Sequence, residues 1–190
     1  RFLREVSDLL ERETGRPLPV DAVPICFASW MGGDRDGNPN VTANVTQRAV
    51  WLAQWMAAVL YEREIDRLRF ELSLKSGDAR LAELTNNAHE PYRVYLKEIH
   101  NRMVSTRTRL EDLLQHGHSE TQGHYRNAGE LVRELNVVYD SLIATNMHDV
   151  AEGRLTDLLR RLAVFGLHLV KLDIRQESSQ IGRASCRERV

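Results

Sequence analysis

Residues 29–39, S-W-M-G-G-D-R-D-G-N-P, hold the densest set of chemically capable side chains in this 190-residue chain. Gly32, Gly33 and Gly37 let the main chain approach a ligand closely, and Asn38 and Pro39 close the loop tightly. Asp34, Arg35 and Asp36 alternate in charge and could orient an anion or a hydrated metal, with Trp30 just ahead of them. A structural turn held by internal Asp–Arg pairing accounts for the same residues, and the sequence leaves both readings open. The second candidate is D-I-R-Q-E-S at residues 173–178. The guanidinium fork of Arg175 suits bidentate binding of phosphate or carboxylate, with Asp173, Gln176 and Glu177 beside it. A salt bridge from Arg175 to Asp173 or Glu177 is the competing explanation.

Sharper motifs fail on inspection. Gly32 and Gly37 have P-loop glycine spacing, but Asn38 and Pro39 stand where Lys and Ser or Thr are required. Asp34 and Asp36 begin like a calcium loop, yet glycine falls at the fourth position and Val45 replaces the bidentate glutamate. His116, His118 and His124 sit in a polar stretch without cysteine or acidic company at zinc-ligand spacing. Trp51 and Trp55, four apart, suit packing rather than ligand stacking. There is no G-x-S-x-G elbow, Cys/His pair or dinucleotide fingerprint.

The elements that must carry these residues are mostly helical. Periodicity predicts a helix over residues 2–14, stopped by Gly15 and Pro17, and a long one over 43–73 with Thr42 as N-cap. The long helix shows a stripe of Val45, Ala49, Leu52, Met56 and Val59 or Leu60. A short helix over 79–85 follows. Pro91 then opens another, whose face is Tyr92, Tyr95 or Leu96, Ile99, Met103, Leu110 and Leu113. Residues 115–126 are polar and hold two glycines, as a loop does. Two further helices show Leu131, Leu135, Val138 and Leu142, then Leu155, Leu158 or Leu159, Leu162 and Phe165. Residues 23–31 are apolar and β-compatible, and residues 168–175 alternate, so each reads as a buried strand leading into one candidate segment. Such strands, far apart in sequence, cannot make a sheet alone. The expected fold class is mostly α with two strands, a partial piece of an α/β (TIM-type) barrel with a large helical insertion. A piece of that kind should fold poorly by itself.

Composition narrows the class. Hydrophobic residues make up 42% and charged residues 28%, enough for one buried core, and the net charge of -1 recommends no nucleic-acid partner. No apolar run reaches the roughly 18 residues of a membrane span. Cys26 reads as a small buried hydrophobe. The opening Arg1-Phe2 is neither an initiator methionine nor a secretion signal, which suggests a cut from something longer. Residues 181–190, I-G-R-A-S-C-R-E-R-V, equal the translation of a common DNA sequencing adapter, and Gln180 straddles the junction. Residues 180–190 are therefore expected to be read-through rather than native. Three arginines and one glutamate leave with 181–190, taking 26 basic and 27 acidic residues to 23 and 26, a net -3.

S-W-M-G-G-D-R-D-G-N-P-N-V-T at 29–42 and V-F-G-L-H-L-V-K-L-D-I-R-Q-E-S at 164–178 resemble two signatures of the bacterial-type phosphoenolpyruvate carboxylases, with E-P-Y-R at 90–93 between them. The resemblance covers residues 1–179, roughly a fifth of a full-length enzyme. It implies a carboxylase joining phosphoenolpyruvate and bicarbonate into oxaloacetate and phosphate, feeding the tricarboxylic acid cycle in the cytoplasm. It implies magnesium or manganese as cofactor and a homotetramer at full length. By the same resemblance Arg175 grips the substrate phosphate and Trp30 lines the pocket. Gly32, Gly33, Asp34, Arg35, Asp36, Gly37 and Asn38 form a supporting loop, and Asp173, Gln176 and Glu177 back the arginine. The family's T-A-H-P-T-E histidine, its acidic metal ligands and its F-H-G-R-G-G loop do not occur here, so no catalytic residue or metal ligand is assigned and the piece should be inactive alone. The family continues after Gln-Glu-Ser with a basic residue and histidine, and this chain departs there. A non-catalytic helical scaffold or interaction domain is the alternative.

Overall fold

A computed structural model describes residues 2–176, so the expectations for Glu177 and for residues 180–190 lie outside the described residues. The described chain runs α1 (Phe2–Thr14), β1 (Ala28–Ser29), α2 (Ala43–Glu71), α3 (Ala79–Leu84), α4 (Pro91–His116), α5 (Ala128–Ala144), α6 (His148–Val150), a π-helical turn (Ala151–Leu155), α7 (Thr156–Phe165) and β2 (Lys171–Leu172).

Helix boundaries follow local chemistry. Thr42, Asp78 and Asn127 each accept a hydrogen bond from a backbone N–H three residues on, capping α2, α3 and α5. Pro91 occupies the first turn of α4, and Gly117 ends it with φ of 77°. The polar stretch expected from residue 115 therefore begins after His116. At the π-turn, Gly153 leaves helical geometry with ψ of -131°. Arg4 of α1 uses that break: its guanidinium donates to the Gly153 carbonyl at 2.8 Å and pairs with Asp157 at 2.7 Å.

The core belongs to the helices. α2 lies along α4, and Ile65 and Leu68 meet a surface continued by Leu96, Ile99 and Met103. Leu131, Leu135 and Leu142 of α5 and Leu158 and Leu162 of α7 complete it. Each such burial contributes about 1.5–3 kcal/mol before chain entropy is subtracted. Buried polar groups are matched across helices. The hydroxyls of Tyr92 and Ser141 lie 2.9 Å apart, and Ser141 Oγ accepts the Asp78 N–H at 3.0 Å. Trp51 and Trp55 pack against the core, and the Trp55 indole donates to Glu111, which also pairs with Arg107.

Three expectations need correction. The stripe read for the long helix is its open face: Val45, Leu52, Met56 and Leu60 are exposed, whereas Ala57, Ala58, Tyr61 and Ile65 are buried. α2 turns another face toward α4, so periodicity identified an apolar face whose cover is not among the described residues. The strands expected over 23–31 and 168–175 shrink to two residues each, because no further strand lies beside them among the described residues. Val23, Ile25, Phe27 and Ile174 are consequently exposed, as is Cys26, and Leu169 takes a φ of 58° that interrupts the second strand. Finally, β1 and β2 do form a sheet by themselves, pairing in parallel as Ala28↔Lys171 and Ser29↔Leu172.

Two outcomes test this packing. Met103→Ala, at a fully buried position, should cost about 2–5 kcal/mol by urea unfolding, and Leu52→Ala at the open face well under about 1 kcal/mol. The Glu64 carboxyl is desolvated, yet its bonds to Arg161 and the charges of Arg154 and Arg67 hold its pKa below the usual value. A folded pKa below the unfolded one means that the unfolded state takes up protons first, so this contribution is complete above about pH 4.5 and fades as pH falls through the lowered value. Unfolding midpoints between pH 3 and 7 should thus drop more steeply for the native chain than for Glu64→Gln.

Candidate functional site

Parallel pairing carries the two candidate segments onto one edge although about 140 residues separate them. Beyond the ladder, Asp173 N–H donates to Ser29 O at 2.8 Å, and Arg175 N–H donates to Gly33 O at 2.9 Å. Arg35 N–H donates back to Arg175 O at 2.8 Å, so Asp34 and Arg175 stand opposite one another. The arginine is thereby registered against the glycine-rich loop through main-chain bonds alone.

The two central glycines have separate reasons. A Cβ on Gly33 would lie 2.1 Å from the Asp173 carbonyl oxygen, inside any possible contact. Gly32 has φ of +84°, and a Cβ there would come within 2.6 Å of Ala49 Cβ on α2. One glycine thus admits the strand and the other admits the helix. Between them Trp30 O accepts the N–H groups of Gly33 and Asp34 at 2.8 and 3.0 Å. Farther along, the Asp34 carboxylate accepts Asp36 N–H at 3.4 Å, the Asn38 side chain accepts Asn40 N–H at 3.0 Å, and Gly37 takes φ of +69°.

The charged residues divide by role. Arg35 turns inward: its Nη2 and Nε donate to Thr46 Oγ1 at 2.9 and 3.3 Å, and the Thr46 hydroxyl donates to Gly32 O at 2.7 Å. Thr46 is buried on the first turn of α2, one turn beyond the cap Thr42, and pins the loop to the helix. Arg175 turns outward. Its side chain is 61% exposed, and Nη2 stands 3.3 Å from Asp36 Oδ2, itself 42% exposed. The carboxylate beside it is Asp36 from the other segment, where the sequence suggested Asp173 or Glu177. Asp173 enters through its backbone instead. Trp30 and Met31 project with exposures of 64% and 77%.

Such an arrangement can bind an anion. An exposed ion pair is worth about 0–1 kcal/mol, so Asp36 orients the guanidinium without tying it up. A doubly charged phosphate offering two oxygens can displace that carboxylate from the fork. Among the described residues no three His, Cys, Asp or Glu side chains gather as a metal set, and no metal-dependent step is derived for them. Beside the loop lies an open apolar cavity of about 870 Å³ lined by Met31, Val45, Ala49, Met56 and Leu172.

Thr46 is the residue that sequence reasoning missed. Its available signal was a threonine four positions after the capping threonine, directly behind the loop. Thr46→Val keeps the shape but strands the Gly32 carbonyl and two Arg35 donors. It should cost about 1–3 kcal/mol by urea unfolding, with Thr46→Ser recovering most of the loss.

The model of the family described as phosphoenolpyruvate carboxylase matches residues 1–185, running past the junction suspected at residue 180. A phosphoenolpyruvate carboxylase of Pseudomonas aeruginosa is 47% identical over 178 residues, covering 94% of this chain and 20% of the relative. One of Acinetobacter baumannii is 42% identical over 181 residues, covering 95% and 20%. This chain therefore spans about a fifth of the length of the curated relatives it matches. With both signature segments lying within the matched span, the chain belongs to the phosphoenolpyruvate carboxylase family.

Proposed function

We propose that the full-length protein joins phosphoenolpyruvate to bicarbonate, giving oxaloacetate and inorganic phosphate, and that this chain supplies one wall of the substrate site. The observation that carries the reading is the hydrogen-bonded register of Arg175 against Gly33 and Arg35. That register leaves an outward guanidinium beside Asp36, in a chain from this family.

In this reading Arg175 binds the substrate phosphate, and Trp30 covers the carbon end of the substrate. A bicarbonate oxygen attacks phosphorus and the enol P–O bond breaks, forming carboxyphosphate and the enolate of pyruvate. Carboxyphosphate releases phosphate and carbon dioxide, and the enolate carbon captures the carbon dioxide. Arg175 favours the attack by holding negative charge on the phosphoryl oxygens as it redistributes. Asp34, Arg35, Asp36, Gly37 and Asn38 hold the loop in the shape that faces it. Magnesium or manganese belongs to the family's reaction, and its ligands lie in the rest of the polypeptide.

The open apolar faces support a place within a larger fold. β1 and β2 are then adjacent staves of a parallel barrel, and α2–α7 are an insertion between them. Without the other staves the chain alone is inactive, and the complete enzyme is a cytoplasmic homotetramer. Residues 180–190 are adapter read-through on this reading, and resequencing the locus across codon 180 tests that.

Arg175→Glu in the full-length enzyme tests the central assignment. Its expected effect is a loss of about 10²–10⁴-fold in kcat/KM for phosphoenolpyruvate, with Arg175→Lys recovering part. Unchanged kcat/KM in Arg175→Glu would remove the arginine from the site.

A further inference from the structure

Arg160 of α7 is a buried cation with no anionic partner among the described residues. It is 8% exposed, its Nε has no hydrogen-bond acceptor, and its side chain's one hydrogen bond among the described residues is from Nη2 to Ser7 Oγ at 3.5 Å. Retaining a charge in such a place is expensive unless a counter-charge arrives. Two carboxylates close by are held by other groups. Asp157, one turn earlier on α7, pairs with Arg4 at 2.7 Å. Glu152 accepts the Tyr139 hydroxyl at 3.1 Å.

That charge borders a cavity. About 220 Å³ of space lies between α1, the extended segment at 25–27 and α7, lined by Arg160, Arg161, Phe2, Ile25, Phe27 and Phe165. Phe27 and Phe165 stack at 5.6 Å between ring centroids, giving it an aromatic wall. A guanidinium without an ion-pair partner beside an apolar wall matches a carboxylate carried on an apolar body.

We propose that this cavity is a binding site for such a carboxylate, with Arg160 as its anchoring cation. The site lies on the α1 and α7 side of the molecule and uses none of the residues assigned to phosphoenolpyruvate. The carboxylate comes either from a small organic acid or from an aspartate or glutamate elsewhere in the full-length polypeptide. Both present the same group to the same fork.

Thermal unfolding of the full-length enzyme with and without benzoate, for native protein and Arg160→Met, separates the sources. Methionine keeps the apolar stem and removes the charge, so its effect reports whether a counter-ion is present. A saturable rise in Tm with benzoate that Arg160→Met abolishes identifies a free organic acid as the occupant. No benzoate response, together with a drop of several degrees in Arg160→Met, identifies a side chain of the polypeptide. Ile25→Glu against Ile25→Gln checks the site without touching the arginine. The glutamate supplies a carboxylate at the cavity wall, so under the first outcome it should suppress the benzoate response while the glutamine leaves it intact. An Arg160→Met protein as stable as native or more so, with no benzoate response, would overturn the proposal.

Discussion

The carbonyl of Asp173 leaves room at Gly33 for a hydrogen atom and nothing larger. Adding a Cβ would place it 2.1 Å from that oxygen, so the main chains of two distant segments touch only because this residue has no side chain. Everything proposed for the site depends on that approach. It aligns Gly33 O with Arg175 N–H and Arg175 O with Arg35 N–H, and this pair of bonds fixes where the outward guanidinium begins. Side-chain pairing follows from the register and does not create it, since the Asp36 contact is exposed and weak.

A two-residue parallel ladder is too small to hold itself together. Its stability is borrowed from the helices, whose shared core fixes both strands at its margin. Thr46 transmits the constraint from one side by joining α2 to Gly32 and Arg35. α7 transmits it from the other, since it ends at Gly166 shortly before β2 and stacks Phe165 on Phe27 just ahead of β1. The apolar surfaces that remain open lie along the early turns of α2 and the extended segment near β1. In isolation these cost solubility. Covered by the rest of a longer polypeptide they would be packing surfaces, each buried apolar side chain contributing about 1.5–3 kcal/mol.

Much of this was legible in the sequence because its causes are local. The cap at Thr42, proline at residue 91 and the 3.6-residue spacing of Leu131, Leu135 and Leu142 each act within a turn or two. The Val45, Leu52 and Met56 stripe was equally visible, but periodicity reports an apolar face and says nothing of what covers it. The two strands read as longer than they are because β-propensity needs neighbours to become a ladder. Within the site, the residue types were legible and their directions were not. Arg35 and Arg175 look alike in sequence, and only the fold turns one toward Thr46 and the other toward solvent. The Asp36 partner of Arg175 was hidden for the same reason, because the pairing is long-range.

The most direct measurement is amide hydrogen exchange of the full-length protein with Gly33→Ala beside the native residue. The account predicts that the native amides of Arg35, Asp173 and Arg175 are protected together. Gly33→Ala should release residues 33–35 and 173–175 in concert while the α4 and α5 amides keep their protection. If Gly33→Ala left the two segments protected, or freed one of them alone, the close approach at Gly33 would not be what joins the site.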